Sequence, residues 1–171
     1  MVNNKKSIEQ INAQYGKIPP QAIELEQAVL GALMLEHDSY NKISDILTVK
    51  SFYKEEHQKI FNEIELLHKS DKQTDLMIIT NELRNKSLID EVGGLMYIMG
   101  LTSKVANSAH IEFHARIIKQ KFIQREIIRN SSEIQSLAYD DTQDVDDLLT
   151  FIDSEIDLLN NGMNGSSDGR S

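Results

Sequence analysis

Apolar residues along this chain recur at helical spacing, with polar residues between them. After "IPPQ", Leu25, Ala28, Val29, Ala32 and Leu35 share one face of a first predicted helix. A short second helix is predicted over 39–47. Ser51 is placed to cap a longer one, with Phe52, Ile60, Phe61, Ile64 and Leu67 turned inward. Thr74 or Asp75 caps the next, which runs to about Lys86, and Leu76, Ile79 and Leu83 keep its spacing helical despite the strand-like run "DLMIIT". Gly93 and Gly94 suit a helix cap and turn, and "LMYIMGL" closes the series. From Asn107 to Ala138 the pattern runs on without a breaker, carrying Ile111, Ala115, Ile118 and Phe122 on one stripe and Ile123, Ile127, Ile134 and Leu137 on another. "YDDTQDVDD" makes a turn. Val145, Leu148 or Leu149, Ile152, Ile156 and Leu159 then repeat at three-to-four spacing, a seam for a facing helix.

The pattern therefore predicts an all-α protein: a globular helical head over 18–102 and a protruding αα-hairpin over 103–159. Residues 1–17 are expected to be a flexible start and 160–171, ending in "NNGMNGSSDGRS", a flexible tail or linker. The only prolines are Pro19 and Pro20, which stop any upstream helix and leave the downstream one free to begin. Glu24 and Glu26 then fall near the positive end of its dipole. Gly31 costs the helix about 1 kcal/mol relative to alanine, and its small neighbours Ala28 and Ala32 point to the close approach of another backbone. Val29, Gly31, Phe52, Phe61, Gly93, Gly94 and Tyr97 are the expected head-packing positions.

Composition narrows the function. The 171 residues carry a formal net charge of -9 and no cysteine. Thiolate chemistry is excluded, and a chain this acidic is a poor nucleic-acid surface by itself. The expected compartment is the cytoplasm, with no membrane span. The basic residues Lys104, Arg116, Lys119, Lys121, Arg125 and Arg129 oppose a run of acids beginning at Asp144, which reads as charge complementarity within the hairpin. No G-x-x-x-x-G-K-[ST] is present, so no phosphate-cradling loop and no cofactor site are expected. His110 and His114 stand at i, i+4, but the order does not meet HExxH and no third ligand is nominated. His57, beside Glu55 and Glu56, is expected to make local hydrogen bonds at a helix start. No residue reads as catalytic or metal-binding. The informative feature is surplus apolar surface. A two-helix arm cannot hide both stripes, so Ile111, Ile118, Phe122, Ile123, Ile127, Ile134, Leu148, Ile152 and Ile156 are expected to serve self-association.

The stretch "IPPQAIELEQAVLGALMLE" resembles the opening of the DnaB family of bacterial replicative DNA helicases. The likeness continues through "FYKEEHQKIFNEIELLH", "TDLMIITNELRNKSLIDEVGGLMYIMGL" and "IEFHARIIKQKFIQREIIRNSSEIQSLAYD", covering about residues 17 to 159. Pro19-Pro20, Glu26, Val29-Leu30-Gly31 and Gly93-Gly94-x-x-Tyr97 carry its specificity. The resemblance implies the N-terminal domain of such a helicase, without its ATPase domain. It implies that hairpins of two subunits pair, that three pairs form a collar on a hexamer, and that the collar docks the C-terminal domain of the primase, with a helicase loader as a further candidate partner. ATP, magnesium, DNA and 5'→3' unwinding would belong to the parent's other domain. The alternatives are the helicase-binding domain of a primase, disfavoured by "PPQAIELEQAVLG", a metalloprotein built on His110 and His114, and a nucleic-acid binder through the basic arm.

Overall fold

A computed structural model describes residues 16–105 and 108–164, and every regular element among them is helical. In order these are α1 (Ile23–Leu35), α2 (Ser39–Ile43), a 3-10 turn (Val49–Ser51), α3 (Glu55–Lys69), α4 (Leu76–Asn85), α5 (Gly94–Ser103), a second 3-10 turn (Ser108–His110), α6 (Ile111–Ala138) and α7 (Val145–Asn164). The described residues divide into two compact units, 21–122 and 16–20 with 123–164.

In the first unit α1 lies at the centre and packs on α2, α3, α4 and α5. Over Val29–Met34 α1 is covered on every side, so its apolar residues there are not confined to a stripe. Leu30, Leu33 and Met34 are buried alongside Val29 and Ala32, whereas Leu35, expected inside, is exposed. Gly31 marks the tightest contact: a Cβ there would stand 2.1 Å from the Leu101 carbonyl oxygen and 2.7 Å from Val105 Cγ2. The expected backbone approach is therefore that of α5 on α1. Phe52 and Phe61 are buried with ring centroids 4.7 Å apart.

Several local expectations change. α2 ends at Ile43, because the amides of Ile46 and Leu47 both turn back to the Ile43 carbonyl. Ser51 does not cap α3. It closes the 3-10 turn, its hydroxyl accepting from the Thr48 amide at 3.0 Å, and α3 starts at Glu55. Asp75 does cap α4, its carboxylate accepting from the Ile78 amide at 2.9 Å. Gly93 and Gly94 have φ of 94° and 79°, left-handed values suited to glycine. The Gly94 amide reaches back to the Ile89 carbonyl at 2.9 Å, and the pair leads directly into α5.

The head does not end at residue 102. Ile111, Ala115 and Ile118 lie at i, i+4 and i+7 on α6, are 2%, 0% and 1% exposed, and join the same core as α1 and α3. The boundary between units falls inside α6, after Phe122. The second unit contains residues 123–138 of α6, the turn from Tyr139, and α7. The Asp144 carboxylate accepts from the Asp146 amide at 2.8 Å and starts α7. That helix continues to Asn164, past the expected tail boundary at 160, while 165–171 lie outside the described residues, as do 1–15.

Candidate interaction surface

Of the residues expected to serve self-association, Ile111 and Ile118 are not available. They are core residues of the head, and the sequence pattern alone could not separate a stripe buried within the chain from one awaiting a partner. Phe122 is half-buried, with the Lys119 ammonium 5.9 Å from its ring centroid. Burial holds the Lys119 amine below the usual lysine range.

The second unit keeps the other positions. Ile123, Ile134, Leu148 and Ile152 are partly covered, whereas Ile127 and Ile156 are 48% and 49% exposed. Val145, Leu149 and Leu158, not all foreseen, are exposed as well. On α7 the partly covered Leu148, Glu155 and Leu159 share one side. Glu155 is bridged to α6 by Arg129, whose guanidinium lies 3.5 Å from it, 3.2 Å from Glu126 and 3.1 Å from Glu133. Arg129 thus supplies one pair of the charge complementarity expected between the two helices, with its shorter contacts inside α6. Arg125, also on α6, is buried and donates to the Pro20 carbonyl at 2.8 Å. Val145, Leu149 and Ile156 form a neighbouring side of α7 that α6 leaves open.

In the head, the structure assembles a buried polar chain that the sequence did not reveal as a unit. Glu26 is 1% exposed rather than sitting free at a helix start. Its carboxylate accepts from the Tyr53 amide at 2.7 Å and meets His57 Nδ1 at 2.6 Å. His57 Nε2 is 2.7 Å from the Tyr97 hydroxyl, which also accepts from Gln27 Nε2 at 3.3 Å. The Glu26 carboxylate can only accept, so His57 Nδ1–H points to it. His57 therefore acts across the core and not locally, tying α1, α3 and α5 together. The available signal was its spacing, three, four and seven residues before the buried Ile60, Phe61 and Ile64 of α3. Glu26 and His57 are buried and the chain ends at the half-buried Tyr97; linking three helices, it reads as structural.

His110 and His114 have ring centroids 6.5 Å apart. Burial, and secondarily the neighbouring His110, push the His114 imidazole below its ordinary range. Among the described residues no group of three His, Cys, Asp or Glu is placed to hold a metal ion, and no helix is long and apolar enough to cross a membrane.

Comparison with known proteins gives a consistent picture. The family profile described as the DnaB-like helicase N terminal domain matches residues 18–120. The replicative DNA helicase DnaB of Rhodothermus marinus is 38% identical over 152 residues, 89% of this chain and 16% of that protein. The replicative DNA helicase DnaC of Bacillus subtilis is 39% identical over 134 residues, 78% of this chain and 30% of that one. The chain therefore spans under a third of the length of these relatives. Among solved structures, the N-terminal domain of DnaB helicase from Mycobacterium tuberculosis superposes with a TM-score of 0.76 at 26% identity, covering 81% of this chain and 98% of the other. A DnaB-like replicative helicase, described with its interactions with primase, shares the fold at a TM-score of 0.67 and 20% identity, covering 87% and 36%.

Proposed function

Because the chain belongs to the DnaB-like helicase N-terminal domain family, we propose that it is the assembly and primase-docking part of a replicative DNA helicase. The observation that carries the assembly role is the set of exposed apolar residues of the second unit, Ile127 on α6 and Val145, Leu149 and Ile156 along α7. Clustered exposed residues of this kind are costly to a protein that stays alone and favourable to one that associates. The reading is that two copies pair through these helices and that three such pairs form the collar of a hexamer. The primase-docking role is supported by family membership and by the fold shared with a helicase described with primase. A helicase loader is a further partner in this reading. Unwinding of DNA with ATP and magnesium belongs, on the same reading, to the parent protein outside the matched region. This chain has no phosphate-binding glycine loop and would turn over no ATP.

Sedimentation of the chain tests the assembly role. The parent sequence should run at least as a dimer, and Ile127→Asp or Ile156→Asp should shift it toward monomer while leaving its circular dichroism unchanged. A monomer at high protein concentration would refute the assembly role. Titration calorimetry against a primase C-terminal domain tests the docking role, and no heat at millimolar concentration would remove it.

A further inference from the structure

Lys59, Lys69 and Lys86 each hold a carboxylate: Glu91 at 2.6 Å, Glu65 at 3.2 Å and Glu63 at 2.7 Å. Lys119 on α6 has no such partner among the described residues. Its neighbours along the helix surface, at three and four residues, are Ala115, Arg116, Phe122 and Ile123. None of them is an acid. The Lys119 amine stands 5.9 Å from the Phe122 ring centroid, near the outer limit of a cation–π attraction. At that distance the ring covers the nitrogen more than it holds the charge. The side chain is half-buried, uncommon for a lysine without a partner. Burial, with no charged neighbour contributing, holds its amine below the usual lysine range.

A lysine nitrogen attacks only as the free amine. Apolar cover without a counter-ion raises the share of free amine near neutral pH. Half-burial still leaves the nitrogen within reach of a small electrophile. We propose that Lys119 is an acyl-acceptor site, taking acyl groups from small acyl phosphates ahead of the other lysines among the described residues. The lone pair of Nζ forms the C–N bond to the carbonyl carbon. The bond from that carbon to the phosphate oxygen breaks, and phosphate leaves with the electron pair. The proton lost from nitrogen goes to solvent. The product is a neutral amide in a place that disfavours charge, and α6 loses one cation. This modification is independent of whether copies of the chain associate.

Acetyl phosphate is the probe. The chain is incubated with it at about pH 8, digested, and read by mass spectrometry for the rate at each lysine. Lys119 should be acetylated at least about threefold faster than the exposed Lys104 and at least about tenfold faster than Lys59, which its hydrogen bond to Glu91 holds above the usual range. The advantage over Lys104 should shrink as the pH approaches about 11, where ordinary lysines are free amines as well. Arg116→Glu replaces an exposed residue and puts a carboxylate three positions before Lys119. That variant should keep its circular dichroism and slow Lys119 to the rate of Lys104. Acetylation of Lys119 no faster than Lys104 at the lower pH would overturn the proposal. So would an advantage that persists undiminished at the higher pH or in folded Arg116→Glu.

Discussion

Replacing Gly31 by alanine adds one methyl group to the centre of α1, and its effect can be worked from the structure. Helix propensity favours the change by about 1 kcal/mol. Packing opposes it. The new Cβ would lie 2.1 Å from the Leu101 carbonyl oxygen, 2.7 Å from Val105 Cγ2 and 2.8 Å from the Leu101 carbonyl carbon. Two of those three atoms are backbone and cannot rotate away, so α5 must move off α1. Overpacking of a tight core costs about 1–3 kcal/mol, and a clash with main chain belongs at the upper end. The net expectation is a loss of about 1–2 kcal/mol, or about 2–8 °C in melting temperature for a domain of this size. Gly100→Ala is the matched control: Gly100 lies on α5, and a Cβ there meets nothing within 4 Å. That variant should hold or gain up to about 1 kcal/mol. Urea unfolding followed by circular dichroism at equal protein concentration measures both. If Gly31→Ala unfolds at the same or a higher midpoint than the parent, the close approach of α5 is not what selects glycine.

Three further outcomes follow from other parts of the head. Glu26→Ala leaves His57 and the Tyr53 amide without their buried acceptor and should cost about 3–5 kcal/mol in urea unfolding, whereas Tyr97→Phe removes one hydroxyl from the end of the chain and should cost about 1 kcal/mol. The Tyr40 phenol, pushed up to about 12 by burial and then by Glu65, should stay protonated in an absorbance titration that ionises ordinary tyrosines near 10. Since the folded state holds that proton more tightly than the unfolded chain, its stabilising contribution is complete below pH 10 and is lost as pH rises toward 12, which Tyr40→Phe should remove from the alkaline limb of the stability profile. Ile118→Ala should destabilise the head by about 2–5 kcal/mol, a result that separates its core position from the exposed Ile127, where alanine should leave the unfolding midpoint of the head unchanged.

The helical class, the order of the helices and a cap at Thr74 or Asp75 were legible because each rests on local rules: spacing, caps and breakers within a few residues. The Gly31 contact was legible in kind, since small residues flank it, but its partner on α5 was not. Three features escaped for a common reason. The reach of Glu26 to His57, the folding of Ile111 to Ile118 into the head, and the exposure of Leu35 all depend on which distant segment lies opposite, and helical spacing is silent on that. His57 shows the limit well. Its acidic neighbours at 55 and 56 offered a local explanation, while the carboxylate it binds lies 31 positions away.

An apolar stripe on α6 and another on α7 sharpen the point, because one sequence signal had two physical causes. Ile111, Ala115 and Ile118 became core, whereas Val145, Leu149 and Ile156 stayed open. What distinguishes them is the company each keeps on the helix surface. The first stripe includes an alanine, whose small side chain lets the helix settle closely on its neighbours. The second is edged by Asp146 and Asp153, and carboxylates are rarely taken into a core without partners. A seam so edged can be covered only by a surface that leaves the acids wet or supplies cations. That is the property of a contact between subunits, with a polar rim round an apolar centre, and not of a core. The core stripe carries one acid and one cation at the same offsets, Glu112 and Lys119, where the open one carries two acids; on the proposed assembly reading it is the sign of the edging charges, and not their presence, that sets the two apart.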